Sequence, residues 1–286
     1  MNSELCRFAE RRVIVLSAPN GARRSQRDHP ALPITANELA ENAVALRDAG
    51  VSVLHLHVRD DAGKHTLDAD KYREALAAIR ERVGDSLILQ VTTESVGTYE
   101  AAEQMAVVRE LQPEAVSIAL KELCPEPDDE PAFADFCRWM HDAGVWPQFI
   151  LYSVEDVQRF DAMRARGAFA GDAPFVLFVL GNYASGTAGT VADLDALLEA
   201  ADTDAHPWAV CCFGPNENAV MRAALDRGGH VRIGFENNVV LADGSPAPDN
   251  AALIREFVRA TASHARTPAS PEEVREAFAG SYSSML

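Results

Sequence analysis

The chain has 286 residues, 48% of them apolar, and a formal net charge of −17. That length and apolar content suit one large α/β domain, and the charge argues against nucleic acid or an anionic membrane as partner. Five cysteines without a Cys-x-x-Cys pair (Cys6, Cys124, Cys137, Cys211, Cys212) argue against a disulfide framework or a thiolate zinc site. The start of the chain lacks a signal-peptide pattern, and no apolar run approaches the roughly 20 residues that span a bilayer. The expected compartment is the reducing cytoplasm.

In chain order, short β-branched runs alternate with amphipathic stretches. Strands are expected at Val13–Ala18, Val51–His57, Leu87–Thr92, Glu114–Ala119, Val145–Leu151, Phe175–Gly181, Trp208–Phe213 and Val231–Phe235. Helices are expected at Thr35–Ala49, Asp68–Val83, Thr98–Leu111, Glu130–Ala143, Ser153–Arg166, Thr190–Ala201, Asn216–Arg227 and Asp249–Ala265. Thr35 with Glu38 reads as a capping box, and Ala49-Gly50 and Ala143-Gly144 read as helix stops. Eight βα units with continuously apolar strands predict a single (β/α)8 barrel over residues 1–286. Residues 266–286 form a C-terminal extension with a short helix at Pro271–Phe278, suited to an interface, and a polar end at Ser281–Leu286.

Barrels place their sites at the carboxyl ends of the strands. His55 and His57 close the second strand, and residues i and i+2 of a strand share a face. Two adjacent imidazoles on a buried strand suit metal ligation; the competing reading is one core and one surface histidine. Glu236 ends the eighth strand, beside the first, where it can reach both imidazoles. Arg232 lies four residues earlier, on the face of Glu236. Two histidines and one carboxylate make an open metal site. Thr92 and Thr93 end the third strand, either as hydroxyl donors or as strand filler. Cys211-Cys212 reads as core, and His65, His141 and His206 as surface or structural. The glycine-bearing loops 181–186 and 213–216 are candidate phosphate contacts.

The segments Asn20-Gly21-Ala22, Pro33-Ile34-Thr35, His55-Leu56-His57-Val58-Arg59-Asp60 and Arg232-Ile233-Gly234-Phe235-Glu236-Asn237-Asn238 together resemble the β-keto acid cleavage enzymes, over about residues 12–265. The resemblance implies a zinc-dependent barrel that condenses a β-keto acid with acetyl-CoA, releasing acetoacetate and a new acyl-CoA. It implies His55, His57 and Glu236 as zinc ligands, Arg232 as a catalytic arginine, and a homotetramer. The further catalytic candidates are Thr92, Glu94 and Asn237, and the substrate-binding candidates Arg23, Thr93 and Gln148; of these Thr92 and Thr93 stand where the family has hydroxyl residues, and the other four at positions where the chain differs from it. Asp60 would orient a ligand.

The chain also departs from the family. Asn237 stands where an aspartate is common, Arg23 where glutamate is frequent, Glu94 where glycine is preferred, and Gln148 within a strand that often reads Pro-Glu-x-Glu. Lys121-Glu122 follows the fourth strand in place of small residues. A mouth gaining cations and losing anions disfavours an ammonium-bearing acid and favours a neutral or dicarboxylic one, with Arg23 as the clamp. The competing role for Arg23, Arg24 and Arg27 is to face the CoA phosphates or solvent. Two alternatives remain open: a metal-dependent aldolase or lyase without CoA, and a metal-binding barrel without turnover.

Overall fold

Eight of the β-branched runs pair edge to edge in a closed parallel ring. The computed structural model describes residues 3–279, except 172, 184 and the side chains of 3, 4 and 6. Its barrel strands are β1 (Val15–Ser17), β2 (Val53–Leu56), β3 (Ile88–Thr92), β4 (Ala115–Ala119), β5 (Trp146–Leu151), β6 (Phe175–Asn182), β7 (Trp208–Cys212) and β8 (His230–Ile233). Each pairs in parallel with the next, and β8 returns to β1 through Val231↔Val15 and Ile233↔Ser17. The expected (β/α)8 barrel is the architecture found.

The surrounding helices are α1 (Ala36–Ala49), α2 (Ala69–Val83), α3 (Ala101–Leu111), α4 (Glu130–Ala143), α5 (Val154–Ala165), α6 (Val191–Ala200), α7 (Glu217–Asp226) and α8 (Asn250–Ala260). Thr35 and Glu38 cap α1 reciprocally, and Gly50 ends it in the left-handed region at φ 101°. Helix α3 starts later than Thr98 because 95–98 closes a turn, Thr98 N donating to Ser95 O at 2.8 Å. Helix α8 stops before Ala265 because the chain turns at 261–264, with His264 N on Thr261 O at 2.9 Å. Among the described residues two α-helices were not expected, Ser3–Arg11 and the single turn Leu120–Leu123 after β4. Both are too short for a clear apolar period. Among the described residues no helix is long and apolar enough to cross a membrane.

Strand alternation sorts the core into two layers. Outward residues such as Leu54, Val91, Ile118, Phe149 and Phe178 pack under the helices. Inward residues such as Ile14, Val53, Ile88, Trp146, Phe175 and Leu177 fill the barrel's lower half. The tail belongs to that lower half. Thr267–Pro268 pairs in parallel with Arg12–Val13, and Phe278, from the helix Pro271–Ala279, packs on Trp146 and Phe175 at ring-centroid distances of 4.7 and 5.6 Å. The buried face of this helix, Val274, Ala277 and Phe278, closes the bottom of the barrel. Ser281–Leu286 lies outside the described residues.

Candidate functional site

Above the apolar floor the inward positions turn polar: His55 and Gln90 at mid-height, then Thr92, Ser117 and Arg232 toward the carboxyl ends. A cavity of about 200 Å³ opens over them. Such a run of buried polar residues is costly unless each finds a partner or a ligand.

His55, His57 and Glu236 meet at the base of this cavity. His55 Nε2 and His57 Nε2 are 3.0 Å apart, and Glu236 Oε2 lies 3.3 Å from His57 Nε2 and 3.6 Å from His55 Nε2. Ligands about 2.0–2.1 Å from a tetrahedral centre stand roughly 3.3 Å apart, so three such atoms fit one metal ion. Glu236 Oε2 is buried and has no hydrogen-bond partner, as expected of an atom shaped for a ligand. Burial drives the His55 pKa well below its ordinary value, helped by Arg232; a neutral imidazole is the form that ligates. Burial pushes the Glu236 carboxyl up, but Arg232, then His57 and His55, more than offset this and hold it well below the usual range.

The support around these three is extensive. His55 Nδ1 donates to Gln90 Oε1 at 2.9 Å, and Gln90 Nε2 donates to Gln148 Oε1 at 3.3 Å. That chain leaves the His55 Nε2 lone pair facing the cavity. Asn20 grips the His57 backbone from both sides, Nδ2 donating to His57 O (2.8 Å) and Oδ1 accepting from His57 N (3.3 Å). Arg59 donates to the carbonyls of Gly21, Ala22 and Arg24, fixing the loop after β1. Glu217 accepts from Gly234 N (3.3 Å) and Asn238 Nδ2 (3.2 Å), pinning both ends of the turn that carries Glu236. Burial pushes the Glu217 carboxyl up to about 8. Sequence reasoning missed Gln90 and Glu217. Gln90 left a signal, a polar residue on the His55 face of an apolar strand; Glu217 left none.

Arg232 is 3% exposed and donates through Nη2 to Glu236 Oε1 (2.9 Å) and Cys211 Sγ (3.2 Å). Its guanidinium lines the cavity. Cys211 is fully buried and burial pushes its thiol up to about 11, so it is no nucleophile at neutral pH. Glu94 lies on the opposite side of His57, 3.8 Å from Nδ1. Burial raises the Glu94 pKa; His57 and Arg23 pull it down and Glu236 pushes it up, and the net is upward. Thr92 Oγ1 accepts from Glu94 N at 3.0 Å, and Thr93 Oγ1 donates to Ser117 O at 3.0 Å. Both threonines line the cavity, as does Arg23, 3.9 Å from Glu94.

The structure does not bring every expected residue to the cavity. Asn237 is fully buried outside the lining, its carbonyl accepting from Gly214 N (3.1 Å) and Arg24 Nη2 (3.4 Å). It follows Glu236 in a tight turn, which aims its side chain away from the site. Gln148 lies below the cavity and touches Gln90 instead of the open space. Asp60 is exposed and caps a turn, its Oδ1 accepting from Ala62 N and Lys64 N. His65 is structural, donating through Nε2 to Glu94 O at 2.9 Å. Burial and then His57 push its imidazole down to about 3. The loop after β6 folds back on itself, Thr187–Ala188 pairing antiparallel with Gly181–Asn182, and Gly189 N and Gly214 N already donate to backbone carbonyls.

A family model described as beta-keto acid cleavage enzyme matches residues 12–279. The chain is 29% identical over 270 residues to the 3-keto-5-aminohexanoate cleavage enzyme of Acetoanaerobium sticklandii, covering 93% of this chain and 97% of that one. It is 28% identical over 268 residues to the 3-oxoadipate:acetyl-CoA acetyltransferase of Cupriavidus necator, covering 92% and 93%. Among solved structures, the apo structure of ObcA superposes with a TM-score of 0.69 at 17% identity, over 87% of this chain and 65% of that one, a likeness of fold.

Proposed function

This chain belongs to the beta-keto acid cleavage enzymes, and on that premise we propose that it condenses a β-keto acid with acetyl-CoA to give acetoacetate and a new acyl-CoA. The observation that carries the reading is the convergence of His55, His57, Glu236 and Arg232 in one cavity at the carboxyl ends of the strands. The atoms balance. C2 of the acid loses a proton and attacks the acetyl carbonyl, and CoA leaves as thiolate. That thiolate attacks the original ketone carbon, the C2–C3 bond breaks to leave the new acyl-CoA, and the departing acetoacetate enolate takes back at C2 the proton first removed.

His55, His57 and Glu236 would hold a zinc ion, which supplies a Lewis acid for the ketone and for developing oxyanion charge. Gln90 keeps His55 in the ligating tautomer, and Asn20 sets the height of His57. Glu94 is our candidate for the group that takes the C2 proton, because its raised pKa brings it nearer to neutrality. Thr92 positions Glu94 through its backbone N–H and keeps its own hydroxyl proton to donate. Arg232 offers a fixed positive charge where the carboxylate and enolate charge must sit. Arg23 and Thr93, at the rim and wall, are assigned to substrate contact; Gln148 acts through Gln90.

Incubating the metal-loaded protein with a panel of β-keto acids should yield acetoacetate and the matching acyl-CoA, detected by mass spectrometry, only when acetyl-CoA is present. Cleavage at the same rate without acetyl-CoA would replace this reading by an aldolase or lyase.

A second outcome concerns Gly21. Its φ is +60°, and a Cβ added there would come within 2.5 Å of Glu236 Cγ. Gly21→Ala should therefore displace the carboxylate and weaken metal binding by about 10- to 100-fold, while the backbone strain itself costs only ~1–2 kcal/mol. Metal titration and a thermal melt on the same variant separate the two effects. Unchanged metal affinity would show that Glu236 does not ligate.

A further inference from the structure

Four cations line the cavity; Arg232 is paired with Glu236, and the other three are not equivalent. Arg23 lies 3.9 Å from Glu94, so a carboxylate already answers its charge. Arg24 donates to Asn237 O at 3.4 Å and lies over the Tyr183 ring, 5.5 Å from its centroid. Lys121 has no carboxylate or carbonyl partner of this kind and shares with Arg24 only a place over a tyrosine ring. Among the described residues no carboxylate stands within ion-pair distance of it. The adjacent Glu122 is engaged elsewhere, its Oε2 accepting from Ser95 N (3.0 Å) and Gln104 Nε2 (2.9 Å).

The Lys121 ammonium is nevertheless held in place. Nζ sits 3.4 Å from the centroid of the Tyr152 ring, a cation–π contact that fixes a chain otherwise rich in rotamers. Burial keeps the Tyr152 hydroxyl neutral, so the ring presents a π-face and not a phenolate. Lys121 is the second residue of the helical turn after β4, and Tyr152 follows β5. In a closed ring of eight, β4 and β5 stand opposite β8 and β1. A molecule anchored at His55, His57 and Glu236 therefore points its far end toward Lys121.

We propose that Lys121 is the subsite for a second anionic group of the acid, so that the substrate is a β-keto acid carrying a distal carboxylate. The inference rests on the cleavage reading for the identity of the anchored end. A distal ammonium would meet like charge, and an uncharged chain would leave the cation without a partner as water is displaced. The same cation could instead serve a phosphate of CoA, and the experiment separates the two.

The probes are 3-oxoadipate and its uncharged counterpart 3-oxohexanoate. Each is titrated calorimetrically into the metal-loaded protein without acetyl-CoA, and each is then assayed with it. The dicarboxylate should bind about tenfold more tightly or better. Lys121→Met should erase that difference by weakening 3-oxoadipate alone, and Lys121→Arg should keep most of it. The preference should appear in KM more than in kcat. If Lys121→Met raises KM for acetyl-CoA but not for acetyl-pantetheine, and leaves the acid preference intact, the subsite belongs to the CoA phosphates and the proposal is overturned. It is equally overturned if Arg23→Gln, and not Lys121→Met, removes the preference. A binding preference that depends on Lys121 in a protein that turns over neither acid would refute the cleavage reading and leave the subsite standing.

Discussion

His55→Ala combined with His57→Ala should release the metal and abolish turnover. The two rings supply two of three ligand atoms, all mutually within 4.8 Å, and a single remaining carboxylate cannot hold a divalent ion against water. Elemental analysis should fall from about one zinc per chain to background. The fold should persist, because both side chains face the cavity and not the helix-packed outer core. In the parent, zinc should raise the melting temperature by mass action, since a ligand that binds only the folded state adds RT ln(1 + [L]/Kd); in the double variant the melt should ignore zinc. Retention of the metal by the variant would sink the assignment of these ligands.

Arg232→Ala should lose two to three orders of magnitude or more in kcat/KM, roughly what is lost when a preorganised charge is removed from a transition state. The zinc content should stay near that of the parent, because Arg232 bonds Glu236 through Oε1 whereas the carboxylate oxygen facing the histidines is Oε2. A second consequence follows from the charge balance. Arg232 is the leading group that holds the Glu236 carboxyl below its usual range, so without it the carboxyl titrates higher and metal retention should fail at a higher pH on acidification. Arg232→Lys keeps the charge but not the two-sided contact with Glu236 and Cys211, and should recover only part of the rate. Near-parental turnover in Arg232→Ala would confine the residue to a structural ion pair.

Several features were already legible in the chain. The alternation of β-branched runs and helical periods set the barrel, because strand and helix periods differ so sharply that eight successive units leave little ambiguity. His-x-His at the end of one run and Glu236 at the end of another placed three ligand-type groups in one layer, since barrel topology makes strands eight, one and two adjacent. A strand's period of two put Arg232 on the face of Glu236, but the strand ends at Ile233 and Glu236 sits in the turn that follows; the two meet through the 2.9 Å contact across that turn.

Only the tertiary structure decided the rest, and the reason is that contacts across a barrel carry no signature in local spacing. Gln90 meets His55 across a strand pair, and Glu217 reaches the Glu236 turn from a helix seventeen residues before Gly234. Asn237 looked like a replacement for a catalytic acid by position, yet the tight turn at Gly234–Asn238, closed by Asn238 N on Gly234 O at 3.0 Å, takes its side chain out of the cavity. The place of the tail helix was not legible either: Phe278 packs on Trp146 and Phe175, more than a hundred residues upstream, at the bottom of the barrel. By sequence Arg23 was the expected clamp, and Lys121 only one more cation at the mouth. They differ because β3 brings Glu94 beside one and β5 brings the Tyr152 ring beneath the other, a distinction that pairing order and loop path alone create.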